Sequence, residues 1–152
     1  MEKLYVFSKG NFSNFMEADR LKNNINFIPD SPGIYALISK KDNALYYVGQ
    51  AKGKLIEKPR SIQDRFKKEH FKKRARGSAL RRHIALELNI PLFKDHSGHN
   101  AVDPIYEDRI SDFLEKDLKI SFITAPWTEV DALEVAAIQD LKPKWNIQHA
   151  NI

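Results

Sequence analysis

The chain has no cysteine. Disulfides, thiolate nucleophiles and cysteine-bearing zinc sites are therefore excluded. It has no apolar run long enough for a membrane span, and the opening MEKLYVFSKGN is too polar for a signal peptide. The expectation is a cytoplasmic protein with no membrane partner. Glycine is scarce, with six residues in 152, and no Gly/Ser-rich or repeated segment occurs. Flexible linkers and repeat arrays are thus excluded, and the length suits one compact domain.

What is present is charge. The formal net charge is +5, and its placement is uneven. From Arg65 to His83, RFKKEHFKKRARGSALRRH holds nine Lys/Arg and one acid, Glu69. Between Asp103 and Asp117 six acids face two bases. A basic block on a mixed background suits a polyphosphate partner, DNA or else RNA. Its candidate contacts are Lys67, Lys68, Lys72, Lys73, Arg74, Arg76, Arg81 and Arg82. The competing reading is a solvated helix face.

The pattern of elements predicts an α+β domain with a small central sheet of about three strands flanked by helices. Residues 1–28 read as an N-terminal extension and 29–152 as the domain. In the extension, NFSNFMEADRLKNN spaces Phe12, Phe15 and Met16 as one short helix would. Ile34–Ser39 and Ala44–Gly49 read as a hairpin across KKDN. A three-residue loop, Lys41-Asp42-Asn43, would set Leu37 opposite Tyr47 and Tyr35 opposite Gly49. Tyr35 and Tyr47 would then share one face, whereas a four-residue loop would separate them.

Ser61 and Asp64 resemble a capping box that opens a helix over about 62–74, and Leu80, Ile84 and Leu88 mark a second. NIPLFKDHSGHNAVDP reads as a loop. Asp103-Pro104 starts a helix whose stripe is Tyr106, Ile110, Phe113 and Leu114. KISFITA is a short strand. Thr128 and Asp131 read as the cap of a last helix running to Leu141, and KWNIQ as a final strand or ordered tail.

Two residues do not fit their surroundings. On the last helix Glu134 falls within the stripe Val130, Leu133, Ala137, Ile138 and Leu141. A bare buried carboxylate is costly, so it needs an arginine, a lysine or a metal ion. Arg65 stands beside Phe66 at the edge of a buried face, where its planar fork suits phosphate oxygens. His96 and His99 in HSGH could join a zinc site with Asp95 and Asp103, although that segment reads as loop. Trp127 and Trp145 could stack on bases or simply close the core.

GIY at 33–35 and YVG at 47–49, with eleven residues between the tyrosines, resemble the GIY-YIG endonuclease superfamily. Arg65 in IQDRF, His70, Glu134 in DALEVAAIQDLKPKWN and Asn146 twelve residues later match the remaining landmarks in order. SALRRHIALEL and EDRISDFLEKDLKISFI further resemble a group of small stand-alone bacterial members. Val48 departs conservatively from the second motif, and the connection from Gly49 to Arg65 is longer than usual. His70 lies five residues after Arg65, where four is commoner, so Glu69 or His83 could take its place.

The resemblance implies a metal-dependent endonuclease that hydrolyses DNA phosphodiesters. It implies Glu134 as ligand to Mg²⁺ or Mn²⁺ and Arg65 on the scissile phosphate. It implies Tyr35 or Tyr47 on the attacking water, with His70 as a proton acceptor and Asn146 as a buttress. A phenol with a pKa near ~10 needs either a depressed pKa or such an acceptor. The alternative is a catalytically idle nucleic-acid-binding domain on the same fold. Specificity would come from 1–28, from the 50–60 or 89–104 loops, or from a homodimer partner.

Overall fold

The computed structural model describes residues 5–74 and 78–150. Its centre is an antiparallel sheet of four strands, one more than the sequence predicts. The strands are β1 (Met16–Glu17), β2 (Gly33–Ser39), β3 (Leu45–Ala51) and β6 (Leu118–Thr124), in the order β1-β6-β2-β3. A separate two-stranded ribbon, β4 (Leu92–Lys94) with β5 (Asn100–Val102), forms where a loop was expected. Its turn is held by Asp95, whose Oδ1 accepts from the backbone N–H groups of Ser97 and His99. Local side-chain bonding of this kind is turn chemistry that the hydrophobic pattern does not reveal.

The β2–β3 register is the one set by a three-residue loop. Leu37 lies opposite Tyr47 and Tyr35 opposite Gly49. Asn43 takes the left-handed conformation at φ 58° that this turn requires. Strand β2 is buried on both faces, as its unbroken apolar run demands. One face, with Tyr35, Leu37 and Tyr47, packs against α1 (Ala18–Asn23), α3 (Ala79–Glu87) and α4 (Glu107–Asp117). The other face, with Ile34, Ala36 and Val48, packs against α5 (Val130–Leu141).

Four local expectations are corrected. Phe12 and Phe15 are not on a helix: Asn14 is left-handed at φ 58°, and Met16–Glu17 extend the sheet. The helix begins only at Ala18, and Phe12 closes the second core beside Val130. The helix from Ile62 is short. Regular α2 spans Ile62–Arg65, capped by Ser61 as predicted, and passes into a π-turn over Phe66–His70. Thr128 does not cap α5, because a 3₁₀ turn over Trp127–Glu129 leads directly into it. KWNIQ is neither strand nor tail: α6 spans Lys144–Gln148, entered through Pro143. Proline has a fixed φ and no N–H to lose at a helix start, which makes it suitable there. Among the described residues no helix is long and apolar enough to cross a membrane.

Candidate active site

Tyr35 and Tyr47 lie on one face of the sheet, with ring centroids 6.3 Å apart. Their approach depends on Gly49. A Cβ there would stand 2.7 Å from the Tyr35 hydroxyl and 2.7 Å from Cε2 of Tyr47, closer than side chains tolerate. The glycine of the second motif is therefore a packing requirement, since its φ is not left-handed.

Burial controls both phenols. Tyr35 is fully buried and Tyr47 is 8% exposed. Desolvation pushes the Tyr35 pKa up to about 12, although Arg65 pulls it down. Tyr47 is raised further, again by burial first and then by the nearby Tyr35 and Glu134. Neither phenol is thus an ionised base at neutral pH.

Tyr35 is hydrogen-bonded to a histidine instead. Its hydroxyl is 2.6 Å from Nε2 of His70, and Nδ1 of His70 is 2.8 Å from Oγ of Ser78. Burial, then the charges of Arg65 and neighbouring arginines, hold the His70 pKa well below the ordinary histidine value. His70 is accordingly a neutral imidazole, with one ring nitrogen protonated and the other open to accept a hydrogen bond. The π-turn explains its spacing. The Phe71 N–H bonds to the Phe66 carbonyl five residues back, at 2.9 Å. One extra residue per turn brings the fifth residue near the position that the fourth takes in an α-helix.

The alternatives for that place are separated. Glu69 turns to the arginines: Oε1 accepts from Arg60 Nη1 at 2.7 Å, and Oε2 accepts from Arg65 Nη1. His83 sits by the other tyrosine, 4.9 Å from the Tyr47 ring and parallel to Trp145. Burial, with His149 and Arg82 beside it, lowers its pKa to about 4.

Arg65 Nε is buried and has no acceptor among the described residues. Glu134 is half-buried on α5, and among the described residues its hydrogen-bond partner is a neutral amide, Gln50 Nε2, at 3.1 Å. The same amide donates to Asp131 Oδ1 at 2.8 Å. Burial raises the Glu134 pKa; the Gln50 hydrogen bond opposes that, Asp131 adds to it, and Arg65 opposes it. The charges of Arg65 and Glu134 both act on both phenols. No group of three His, Asp or Glu side chains is placed to hold a metal among the described residues. One uncompensated carboxylate nevertheless suits a hard cation such as Mg²⁺, which keeps most of its waters.

Asn146 grips the free edge of the sheet. Its Nδ2 donates to the Val48 carbonyl and its Oδ1 accepts the Val48 N–H, both at 2.9 Å. The carboxamide thus completes the outer edge of β3 as a further strand would.

The basic block divides. Lys67, Lys68, Lys72, Lys73 and Arg74 are exposed, with Lys68 paired to Asp64 and Lys73 to Asp108. Arg82 is half-buried and feels Tyr47, Arg65 and Glu69. Arg76 lies outside the described residues. Arg81 is a correction, because it is 2% exposed and turned inward. Its Nη2 donates to Glu107 Oε2 at 2.6 Å and to Ser111 Oγ at 2.9 Å, and its Nη1 donates to the His70 carbonyl at 3.1 Å. It pins the π-turn to α4 and cannot also reach a phosphate. Trp145 is fully buried with Nε1 bonded to Glu87, so it is core.

Sequence reasoning did not mark Gln50, Glu69 as an arginine ligand, or Ser78 as a partner of His70. Glu69 stands four residues after Arg65, a helical pair that spacing could have flagged, whereas Gln50 and Ser78 join the site through contacts that no spacing rule gives.

Compared with known proteins, the chain matches the family model described as GIY-YIG catalytic domain over residues 10–152. The search of curated proteins gives no match.

Proposed function

Because the chain belongs to the GIY-YIG family, a family of nuclease domains, we propose that it is a divalent-metal-dependent endonuclease that hydrolyses DNA phosphodiester bonds. The observation that carries this reading is a pair of unmet demands beside two phenols. Among the described residues Arg65 Nε is a buried donor without an acceptor, and Glu134 is a half-buried carboxylate with no cation in ion-pair contact. A phosphate oxygen meets the first demand and a divalent ion the second.

In this reading Glu134 would hold Mg²⁺ or Mn²⁺, which would supply positive charge to offset the negative charge that develops on phosphate oxygens. Arg65 binds the scissile phosphate through its planar fork. To do so with its terminal nitrogens it exchanges the Glu69 carboxylate for a phosphate oxygen. His70 donates Nδ1–H to Ser78, leaving Nε2 to accept the Tyr35 proton. Tyr35 thereby takes a proton from the attacking water while passing its own to His70, and no free phenolate is required. Tyr47 orients the phosphate or the water. Asn146 keeps β3, and so Tyr47, in place.

Incubation of plasmid DNA with the protein tests this reading. Nicking or linearisation is expected with Mg²⁺ or Mn²⁺ and not with EDTA. Tight DNA binding with no cleavage under any divalent ion would leave an idle binding domain instead.

A further inference from the structure

Among the described residues the exposed large apolar side chains are isolated from one another along the sequence, with one exception. Leu55 is 56% exposed and Ile56 is 54% exposed, side by side. They form the tip of the arm over residues 52–60, the connection that is longer than usual between the second motif and Arg65.

The arm is not loose. Its legs close on each other through the Arg60 N–H, bonded to the Lys52 carbonyl at 2.9 Å. The Lys58 N–H bonds to the Leu55 carbonyl at 3.1 Å, which shapes the tip as a tight turn. Gly53 permits the closure. It is left-handed at φ +79°, and a Cβ there would meet the Lys58 carbonyl oxygen at 2.7 Å.

Both feet of the arm end at the candidate active site. Lys52 bonds to Asp131 Oδ2 at 2.7 Å and lies 4.1 Å over the Trp127 ring. Asp131 shares the Gln50 amide with Glu134. Arg60, at the other foot, bonds to Glu69, which also holds Arg65. One foot therefore abuts the carboxylate side of the site and the other its arginine side.

The charge around the tip selects the partner. Lys54 and Lys58 flank the two aliphatic residues and are exposed, with no ion-pair partner among the described residues. Glu57 is the one acid of the turn. Apolar side chains flanked by free lysines suit a polyanion with an apolar interior, which is duplex DNA: phosphates outside and stacked bases within. A purely apolar partner would leave those lysines unmatched.

We propose that the 52–60 arm is a wedge that inserts Leu55 and Ile56 into a base step of duplex DNA beside the bond to be cut, with Lys54 and Lys58 on the adjacent phosphates. This rests on the DNA-cleavage reading above and adds to it a grip on duplex rather than single-stranded substrate. The rigid legs matter, since an arm already ordered loses little entropy when it inserts. Its feet couple insertion to the placement of Arg65 and Glu134.

The test uses the full chain and mixed-sequence duplexes containing 2-aminopurine, in EDTA to prevent cleavage. Insertion unstacks bases, so binding should raise 2-aminopurine fluorescence at some duplex positions. Leu55→Ser with Ile56→Ser should abolish that rise and weaken duplex affinity by about tenfold, with an unchanged melting temperature. Leu55→Met with Ile56→Leu should restore both. An equal fluorescence rise and affinity in the serine variant, with plasmid cleavage intact, would overturn the wedge and leave the nuclease reading standing. A wild-type dimer that the serine variant cannot form would also overturn it, making the tip a contact between copies. Failure of the wild type to bind any DNA would overturn both.

Discussion

The Tyr35 hydroxyl lies 2.6 Å from Nε2 of His70, and both side chains are wholly buried. The pair joins the first strand of the hairpin to the π-turn, and Ser78 bonds the far nitrogen of the ring. A buried hydrogen bond of this kind fixes both partners in one geometry. If the pair works as one proton relay, removing either end should cost the same step. Tyr35→Phe and His70→Gln should each slow cleavage at least about tenfold, roughly 1.4 kcal/mol of transition-state stabilisation. The double variant should be little slower than either alone, because the second change removes nothing that remains. Single-turnover rates on plasmid check this. Tyr47→Phe should also slow cleavage, but its effect should add to the other two.

Glu134 sets function against stability. Its folded pKa is raised, chiefly by burial, so its ionised form costs folding free energy. The contribution of Glu134 to stability is therefore greatest at low pH, where the carboxyl is protonated, and is lost as pH rises through the folded value. Glu134→Gln is neutral at every pH and can keep the Gln50 bond. It should therefore melt higher than wild type at pH 7, and the gap should close as pH falls and Glu134 itself protonates. The same variant should cut at least about a hundredfold slower, because it no longer offers charge to a divalent ion. Thermal melts at several pH values and plasmid cleavage with Mg²⁺ check the two halves. A folded variant with full activity would remove Glu134 from the metal site.

The sequence made the centre of the fold readable, for a specific reason. Tyr35 and Tyr47 share a face because hairpin register is set locally, by loop length and by a residue such as Asn43 that tolerates a left-handed turn. Ser61 as a cap was legible on the same local grounds. The edge strand Met16–Glu17 was not, since two residues carry no periodicity and pair only because β6 lies beside them. Arg81 was misplaced for a similar reason. In RRH the two arginines look alike, and only the position of Glu107 and Ser111 on α4 shows which one turns inward. Glu134 was conspicuous because a charge in an apolar stripe breaks a rule. Gln50, which holds it, breaks none.

Acid should weaken the fold through its buried histidines. The His70 pKa lies well below the ordinary value and that of His83 is lowered to about 4. A depressed folded pKa means that the unfolded chain takes up the proton first. Stability is then full above the unfolded value near ~6.5 and is lost as pH falls below it. Each histidine contributes up to about 1.4 kcal/mol per pH unit in that range. The groups around His70 are the hydroxyls of Tyr35 and Ser78 and the guanidiniums of Arg65, Arg60, Arg81 and Arg82. Glu134 acts in the opposite direction over its own range, so the comparison should be made against the same protein with one change. Urea midpoints of wild type should fall from pH 7 to pH 5, and those of His70→Gln should fall less. Equal slopes would show that His70 is not a buried neutral group.

The basic block should separate into binding and folding parts. Lys67, Lys72 and Arg74 are exposed and have no ion-pair partner among the described residues. If they meet phosphates, changing all three to alanine removes three counterion-releasing contacts. The slope of log affinity against log salt should then flatten by up to about 2.7, from ~0.9 per contact, with stability unchanged. Arg81 should behave in the opposite way. It is 2% exposed, and both its carboxylate partner Glu107 and the hydroxyl of Ser111 are buried with it. Arg81→Met removes one member of a buried pair and leaves Glu107 uncompensated, which costs about 3–5 kcal/mol. Arg81→Met together with Glu107→Leu removes both charges and should recover much of that loss, since the remaining side chains are apolar and of similar size. Urea unfolding of the single and double variants measures this, and anisotropy over a salt series measures binding. The folded double variant should keep the wild-type salt slope. A reduced slope there would return Arg81 to the phosphate-binding surface, whereas an unchanged slope in the triple alanine variant would make that surface merely solvated.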